Sequence, residues 1–115
     1  MTEQGTWTEP VTLSLALAWT EENGVPGTAL LIDSFGFPVT RARSRGGRLI
    51  LGSRPVTETG LALAQAEILV SAGFGGLVLA FGDERDGCRE IRALSWLGDP
   101  CGDGKSYLVL QERPR

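Results

Sequence analysis

The chain has 115 residues, a formal net charge of −3 at pH 7, two cysteines and no histidine. This length predicts one domain over residues 1–115, able to bury roughly two-thirds of the surface that the unfolded chain exposes. Histidine is the commonest general base and metal ligand, so its absence argues against metal catalysis and against Ser-His or Cys-His nucleophiles. We therefore predict a protein that is not an enzyme and that holds no cofactor and no metal.

The cysteines and the N-terminus indicate the compartment. Cys88 and Cys101 are too few for a disulfide scaffold and too far apart for a C-x-x-C motif, so we expect reduced thiols. The first ten residues lack a basic region followed by an apolar core, and no apolar run approaches the ~20 residues of a membrane span. The expectation is a cytoplasmic protein without a membrane partner.

The first predicted element is a helix over about residues 8–23. Thr8-Glu9-Pro10 is a typical start, with a capping hydroxyl and an early acid and proline, and Asn23-Gly24 is a matching stop. Apolar residues also alternate between these signals, so a strand over residues 11–19 stays open as the alternative.

A β-hairpin is predicted next, over about residues 28–44. Residues 29–32 are apolar at both parities, residues 33–36 (D-S-F-G) have turn chemistry, and a second strand begins at Phe37. Gly46-Gly47 then interrupts the chain, and residues 48–52 read either as a short third strand or as an edge segment. The role of residues 45–54 is left open.

Basic residues are concentrated in this region. Residues 1–40 contain five acids and no Lys or Arg, whereas five arginines without an intervening acid follow: Arg41, Arg43, Arg45, Arg48 and Arg54. Arg41, Arg43 and Arg45 share a parity and would project from one face of a strand. They form either a solvated strand end or a site for an acidic partner. Nucleic acid is not the expected partner, because the protein is acidic and lacks interleaved exposed aromatics.

The remaining elements are a helix over about residues 57–72 and three strands over residues 76–112. Thr57 is the predicted cap, Val56 and Leu61 a hydrophobic staple, and Gly73 the left-handed stop. The helix is apolar on two faces, so it lies either deep in its own domain or against its copy across a two-fold axis. We find no internal repeat and predict an α/β (α+β) fold with a single antiparallel sheet of about five strands and helices packed on it.

Two short motifs carry a resemblance. Residues 27–33 (G-T-A-L-L-I-D) and 36–39 (G-F-P-V), together with the central helix and the strands at residues 77–81 and 107–110, resemble the Roadblock/dynein light chain family. The resemblance implies a Roadblock/profilin-like sandwich and a non-enzymatic homodimer that binds a small Ras-like GTPase as a regulator or scaffold. It also implies a sheet continued across the two-fold by the strand at residues 77–81. The implied dimer interface is Leu61, Ala64, Gln65, Ile68, Leu69, Leu77, Val78 and Leu79.

Two alternatives stay open. If residues 48–52 form a true strand, the chain also resembles type III secretion chaperones, which are small acidic dimers that bind an effector segment. A small-ligand sensor is the third reading, although no polar residues converge on an evident pocket in the sequence.

Overall fold

The computed structural model describes residues 2–54, 60–83, 87–98, 102 and 104–112. These residues form an α+β fold with two helices and eight strands. In chain order, the elements are β1 (Thr2–Thr6), α1 (Leu13–Glu22), β2 (Leu30–Ile32), β3 (Val39–Arg45), β4 (Arg48–Ser53), α2 (Leu63–Leu69), β5 (Val78–Asp83), β6 (Gly87–Glu90), β7 (Ala93–Leu97) and β8 (Tyr107–Gln111). A π-helical turn, Val70–Phe74, continues α2. Within this part of the chain, neither helix is long and apolar enough to cross a membrane.

The strands form two mixed four-stranded sheets, with the orders β1-β7-β8-β2 and β3-β4-β5-β6. Each sheet contains one parallel pair, β2 with β8 in the first and β4 with β5 in the second. The prediction of a single antiparallel sheet of about five strands is therefore wrong. β4 and β5 are consecutive strands joined in parallel across α2, whereas β2 pairs with β8, the last strand of the described chain.

The predicted hairpin over residues 28–44 is wrong in its pairing. β2 and β3 lie in different sheets and meet through one isolated bridge, between Ile32 and Pro38. β3 instead forms a hairpin with β4, and Gly46 and Gly47 make its two-residue turn with φ angles of 59° and 77°. Glycine adopts these angles without strain, and they match the twist of the flanking strands. The segment at residues 45–54 thus supplies β4, an interior strand of its sheet.

The first helix ends where predicted but begins later. Asn23 is its C-cap, and Gly24 follows with a φ of 68°. The N-cap is Thr12, whose Oγ1 accepts a hydrogen bond from the Leu15 N–H at 3.2 Å, so the predicted start at Thr8 is wrong.

Val11, just before the N-cap, bonds to distant parts of the chain instead of joining the helix. The Val11 N–H donates to the Ile91 carbonyl at 3.3 Å, and the Val11 carbonyl accepts from the Leu79 N–H at 2.8 Å. These partners lie far along the chain, so the capping pattern at Thr8-Glu9-Pro10 could not indicate them.

The second helix is also shorter than predicted. Ala62 is the N-cap of α2, and the Gln65 Oε1 accepts a hydrogen bond from the Ala62 N–H at 2.7 Å. Thr57, the predicted cap, lies outside the described residues. Gly73 has the predicted left-handed conformation, with a φ of 98°, and lies inside the π-helical turn.

The described part of residues 76–112 forms four strands instead of the predicted three. The chain leaves one sheet and enters the other between β6 and β7. The Ile91 N–H donates to the Leu79 carbonyl in β5 at 3.0 Å, and the Arg92 N–H donates to the Gln111 carbonyl in β8 at 2.9 Å. Two consecutive residues therefore bond to different sheets.

Within the described chain, residues 11–53 and 61–111 form two halves that repeat the order of an extended segment, a helix and three strands. β6 is an additional strand of the second half, and β1 lies outside both halves. Equivalent backbone contacts recur in both halves. The Leu13 N–H donates to the Leu77 carbonyl, and the Leu63 N–H donates to the Ala29 carbonyl, both at 2.9 Å. The sequence reading found no internal repeat because the connecting loops differ in length, so the spacing between equivalent residues changes from element to element.

The two halves exchange backbone hydrogen bonds with each other. The Leu79 N–H of the second half donates to the Val11 carbonyl of the first, and the Leu31 N–H of the first donates to the Leu61 carbonyl of the second at 2.9 Å. In the same way, β4 pairs with β5 and β8 pairs with β2. Each half therefore completes the sheet of the other.

The core lies between these halves and repeats with them. At five pairs of equivalent helix and strand positions the two halves carry the same residue type, and all ten residues are buried. The pairs are Leu13 and Leu63, Ala16 and Ala66, Leu31 and Leu79, Leu49 and Leu108, and Leu51 and Leu110.

The Asp33 carboxylate ties the two sheets together. Its Oδ1 accepts hydrogen bonds from the Phe35 and Phe37 N–H groups, both at 2.9 Å, and its Oδ2 accepts from the Ser53 hydroxyl at 2.6 Å. Asp33 follows β2 of one sheet, and Ser53 ends β4 of the other. This buried carboxylate therefore fixes the turn and the approach of the sheets at once.

We expect Asp33→Ala to lower the free energy of unfolding by about 1–3 kcal/mol, because it removes the acceptor of the Phe35 and Phe37 N–H groups and of the Ser53 hydroxyl. Asp33→Asn keeps an acceptor oxygen for the two N–H groups and should lose less. Urea denaturation of the three proteins measures both effects. Equal losses for Ala and Asn would contradict this role of Oδ1.

Candidate functional site at the open edge of β3

β3 lies at the edge of its sheet, and no other strand among the described residues pairs with its outer side. Residues 41–45 are all exposed. In its register with β4, Arg41 lies opposite Gly52, Arg43 opposite Ile50 and Arg45 opposite Arg48, so the three arginines occupy one face of the strand. We call this row the arginine face.

Arg41 lies at one end of the arginine face, and Arg48 lies opposite Arg45 at the other. Arg41 passes over Gly52, where an added Cβ would lie 3.4 Å from the Arg41 Nε. Arg48 lies beside this row, with its Nε 3.8 Å from the Glu90 Oε2, and Arg92 lies 4.0 Å from the same carboxylate. The side chains of Arg48 and Glu90 are 44% and 28% exposed, so their ion pair contributes only about 0–1 kcal/mol.

The opposite face of β3 borders an apolar cleft of about 50 Å³ between the helices and the sheets. Its walls are the paired core leucines of both halves, joined by Leu17, Ala42, Leu61, Gln65 and Leu69. No charged side chain lines it within the described part of the chain. Such a cavity suits an apolar group and offers nothing for acid or base catalysis.

The two halves differ at the strand position that borders the cleft. Ala42 lies opposite Leu51 in β3, and Leu94 lies opposite Leu110 at the equivalent point of β7. Leu94 is 0% exposed, whereas Ala42 is exposed. A leucine thus fills one half where an alanine leaves space in the other.

The chain closes the filled half with its own N-terminus. β1 pairs with β7 and places Gly5 opposite Leu94. The Trp7 and Trp19 rings cover Gly5 with their centroids 6.4 Å apart in an edge-to-face arrangement, and a Cβ on Gly5 would collide with the Trp19 Nε1. β3, the equivalent of β7, has no such cover among the described residues, so the cleft is open there.

The predicted dimer-interface residues differ widely in solvent exposure. Ala64, Gln65 and Ile68 are exposed, and Ile68 is 67% exposed. Leu61, Leu69, Leu77 and Val78 are half-buried, and Leu79 is buried in the core of the single chain.

The strand that was expected to continue the sheet across a two-fold axis has both edges occupied. β5 pairs with β4 on one side and with β6 on the other. A second copy could pair with β5 only by displacing one of these strands.

Other reactive groups do not converge. Cys88 is an exposed free thiol, and Cys101 lies outside the described residues. Within the described part of the chain, no group of three or more His, Cys, Asp or Glu side chains could hold a metal ion. Thr40, just before the exposed part of β3, has a buried Oγ1 with no hydrogen-bond partner among the described residues.

Sequence reasoning identified the arginines but missed Ala42 and the cleft. The alternation Arg41-Ala42-Arg43-Ser44-Arg45 is visible in the sequence and places Ala42 on the opposite face. What the sequence lacks is any sign that β7 is the equivalent strand and that Leu94 fills the matching position.

Comparison of the chain with protein-family models, with curated proteins and with solved structures found no match.

We expect Ala42→Leu to raise the free energy of unfolding by about 1–2 kcal/mol, because the added carbons would fill the cleft as Leu94 fills its equivalent. Ala18→Leu, on the exposed side of α1, is the matched control and should change the free energy of unfolding by less than about 0.5 kcal/mol. Urea denaturation measures both. A destabilised Ala42→Leu beside a neutral Ala18→Leu would show that the cleft cannot take the side chain.

The dimer implied by the family resemblance leads to a separate prediction. Ile68 is largely exposed in the single chain, so Ile68→Arg should fold normally and yet dissociate a dimer built on α2. Sedimentation velocity measures the oligomeric state, and circular dichroism checks the fold. A wild type that sediments as a monomer, or a mutant that stays dimeric, would exclude this interface.

Proposed function

We propose that the protein is a non-enzymatic interaction module that binds an acidic partner protein at the arginine face of β3. The observation that carries the proposal is a row of three arginines on an exposed edge strand beside an apolar cleft. Clustered charge of one sign steers an oppositely charged partner toward its binding surface, and the apolar cleft adds contact area.

The size and lining of the cleft favour a protein partner over a free small molecule. Small-molecule pockets enclose roughly 300–1,000 Å³ and carry a few converging polar groups. The cleft measures about 50 Å³ and is almost entirely apolar, which suits one side chain of a partner. This weighs against the small-ligand sensor.

The net charge weighs against nucleic acid. Domains that bind nucleic acid are usually basic, and this chain carries a net charge of −3. The arginine face is a local feature of an acidic protein and suits an acidic protein segment better.

The fold bears differently on the two partners that the family resemblances imply. The small GTPase depended on a one-sheet fold that this chain does not have, so its binding stays a prediction without support from the fold. The chaperone interpretation is closer to our proposal than the GTPase interpretation, because both involve the binding of a partner segment.

The test is a pull-down on the wild type and on two triple variants at Arg41, Arg43 and Arg45. Replacement by glutamine should reduce retention of the specific partner about tenfold or more, and replacement by lysine, the charge-matched control, should keep most of it. Raising the salt from about 0.05 to 0.5 M should weaken wild-type binding similarly, because exposed charges are screened.

Urea denaturation should show that both triple variants fold as the wild type does. A partner retained equally by the wild type and the glutamine variant, or unaffected by salt, would overturn the proposal.

A further inference from the structure

We propose that the acidic partner binds as an extended strand, antiparallel to β3, and inserts one apolar side chain beside Ala42. This inference rests on the proposed function and names the binding mode. It is argued from the equivalent edge in the other half of the same molecule, where β1 already pairs with β7 as an antiparallel strand.

The pairing of β1 with β7 is the template for this binding mode. β1 runs antiparallel to β7, from Thr2 opposite Leu97 to Thr6 opposite Ala93. β7 and β3 are equivalent because each pairs antiparallel with the strand that makes a parallel contact to the other half. A strand on β3 would therefore begin opposite Arg45 and end opposite Arg41.

The backbone of β3 presents the groups that such a strand needs. In a two-residue hairpin the residues that flank the turn bond to each other, so Arg45 pairs with Arg48. Paired and outward-facing residues alternate along an antiparallel strand, so Arg43 and Arg41 also bond inward, and the N–H and C=O groups of Ala42 and Ser44 face the open edge. At the equivalent edge, the Arg92 carbonyl just before β7 accepts a hydrogen bond from the Trp7 N–H just after β1 at 2.9 Å.

The register predicts the side chains of the partner. Residues opposite Arg45, Arg43 and Arg41 lie on the arginine face, where acidic side chains would pair with them. Residues opposite Ser44 and Ala42 point toward the cleft, where an apolar side chain would fill the space that Leu94 fills in the other half. The expected pattern is acid, any residue, acid, apolar, acid.

A second copy of this chain is a poorer occupant. Two β3 strands paired edge to edge would place arginines of one copy against arginines of the other, and like charges opposite each other destabilise a pair of strands. Charged edge strands protect sheets from self-association in this way. An acidic partner strand removes the repulsion.

The probe is the peptide Thr-Glu-Val-Glu-Leu-Glu-Thr, which follows the pattern with valine opposite Ser44 and leucine opposite Ala42. Fluorescence anisotropy of the labelled peptide with the full chain should give saturable binding that weakens about tenfold or more in the glutamine variant of the three arginines. Ala42→Leu should also weaken binding about tenfold, because the leucine fills the cleft.

N-methylation separates strand addition from a loose charged contact. Methylating the valine and leucine amides removes the N–H groups that face β3 and should reduce binding at least tenfold. Methylating the central glutamate amide, which faces away from β3, is the matched control and should change binding by less than about threefold. In the complex, hydrogen exchange should slow at the Ala42 and Ser44 amides and stay unchanged at Arg43.

Each outcome decides one of the two ideas. Peptide that binds in an arginine-dependent way, but equally well with either methylation pattern, overturns strand addition and leaves the acidic-partner function standing. Absence of saturable peptide binding also overturns strand addition. The pull-down with the glutamine variant decides the proposed function independently.

Discussion

The structure depends on the exchange of backbone hydrogen bonds between its two halves. Val11 of the first half is bonded to Leu79 of the second, and Leu61 of the second to Leu31 of the first. Unpaired buried backbone groups are costly, so neither half can close its sheet alone. The same exchange places both helices against one shared core and explains why each sheet contains a parallel pair between distant segments.

The binding proposal follows from the way this repeat is broken. The core leucines are the same in both halves, whereas the outer strands differ. Leu94 of β7 is buried beside β1 and two tryptophans, and Ala42 of β3 is exposed to solvent. An edge strand that a fold leaves open is usually blunted by charge, and the arginines do this for β3. The same charge that discourages self-pairing attracts an acidic strand, so protection and recognition use the same residues.

Part of the site was readable without the structure. The arginines and their common parity follow from period-two alternation, which is a local property of a strand. Ala42 carried no signal because an alanine between arginines is ordinary on a solvated strand. Its importance comes from Leu94 at the equivalent position and from Leu51, against which it lies, and both relations are non-local.

The sequence by itself determined the existence of both helices, the end of the first at Asn23 and the left-handed Gly73, because these signals involve only residues a few positions apart. Only the tertiary structure decided the helix starts and the strand partners. Val11 and Leu61 have helix-compatible surroundings in the sequence, yet their backbone groups are taken by strands of the other half. Strand pairing is set by which distant segment completes a buried ladder, and a local pattern does not contain that information.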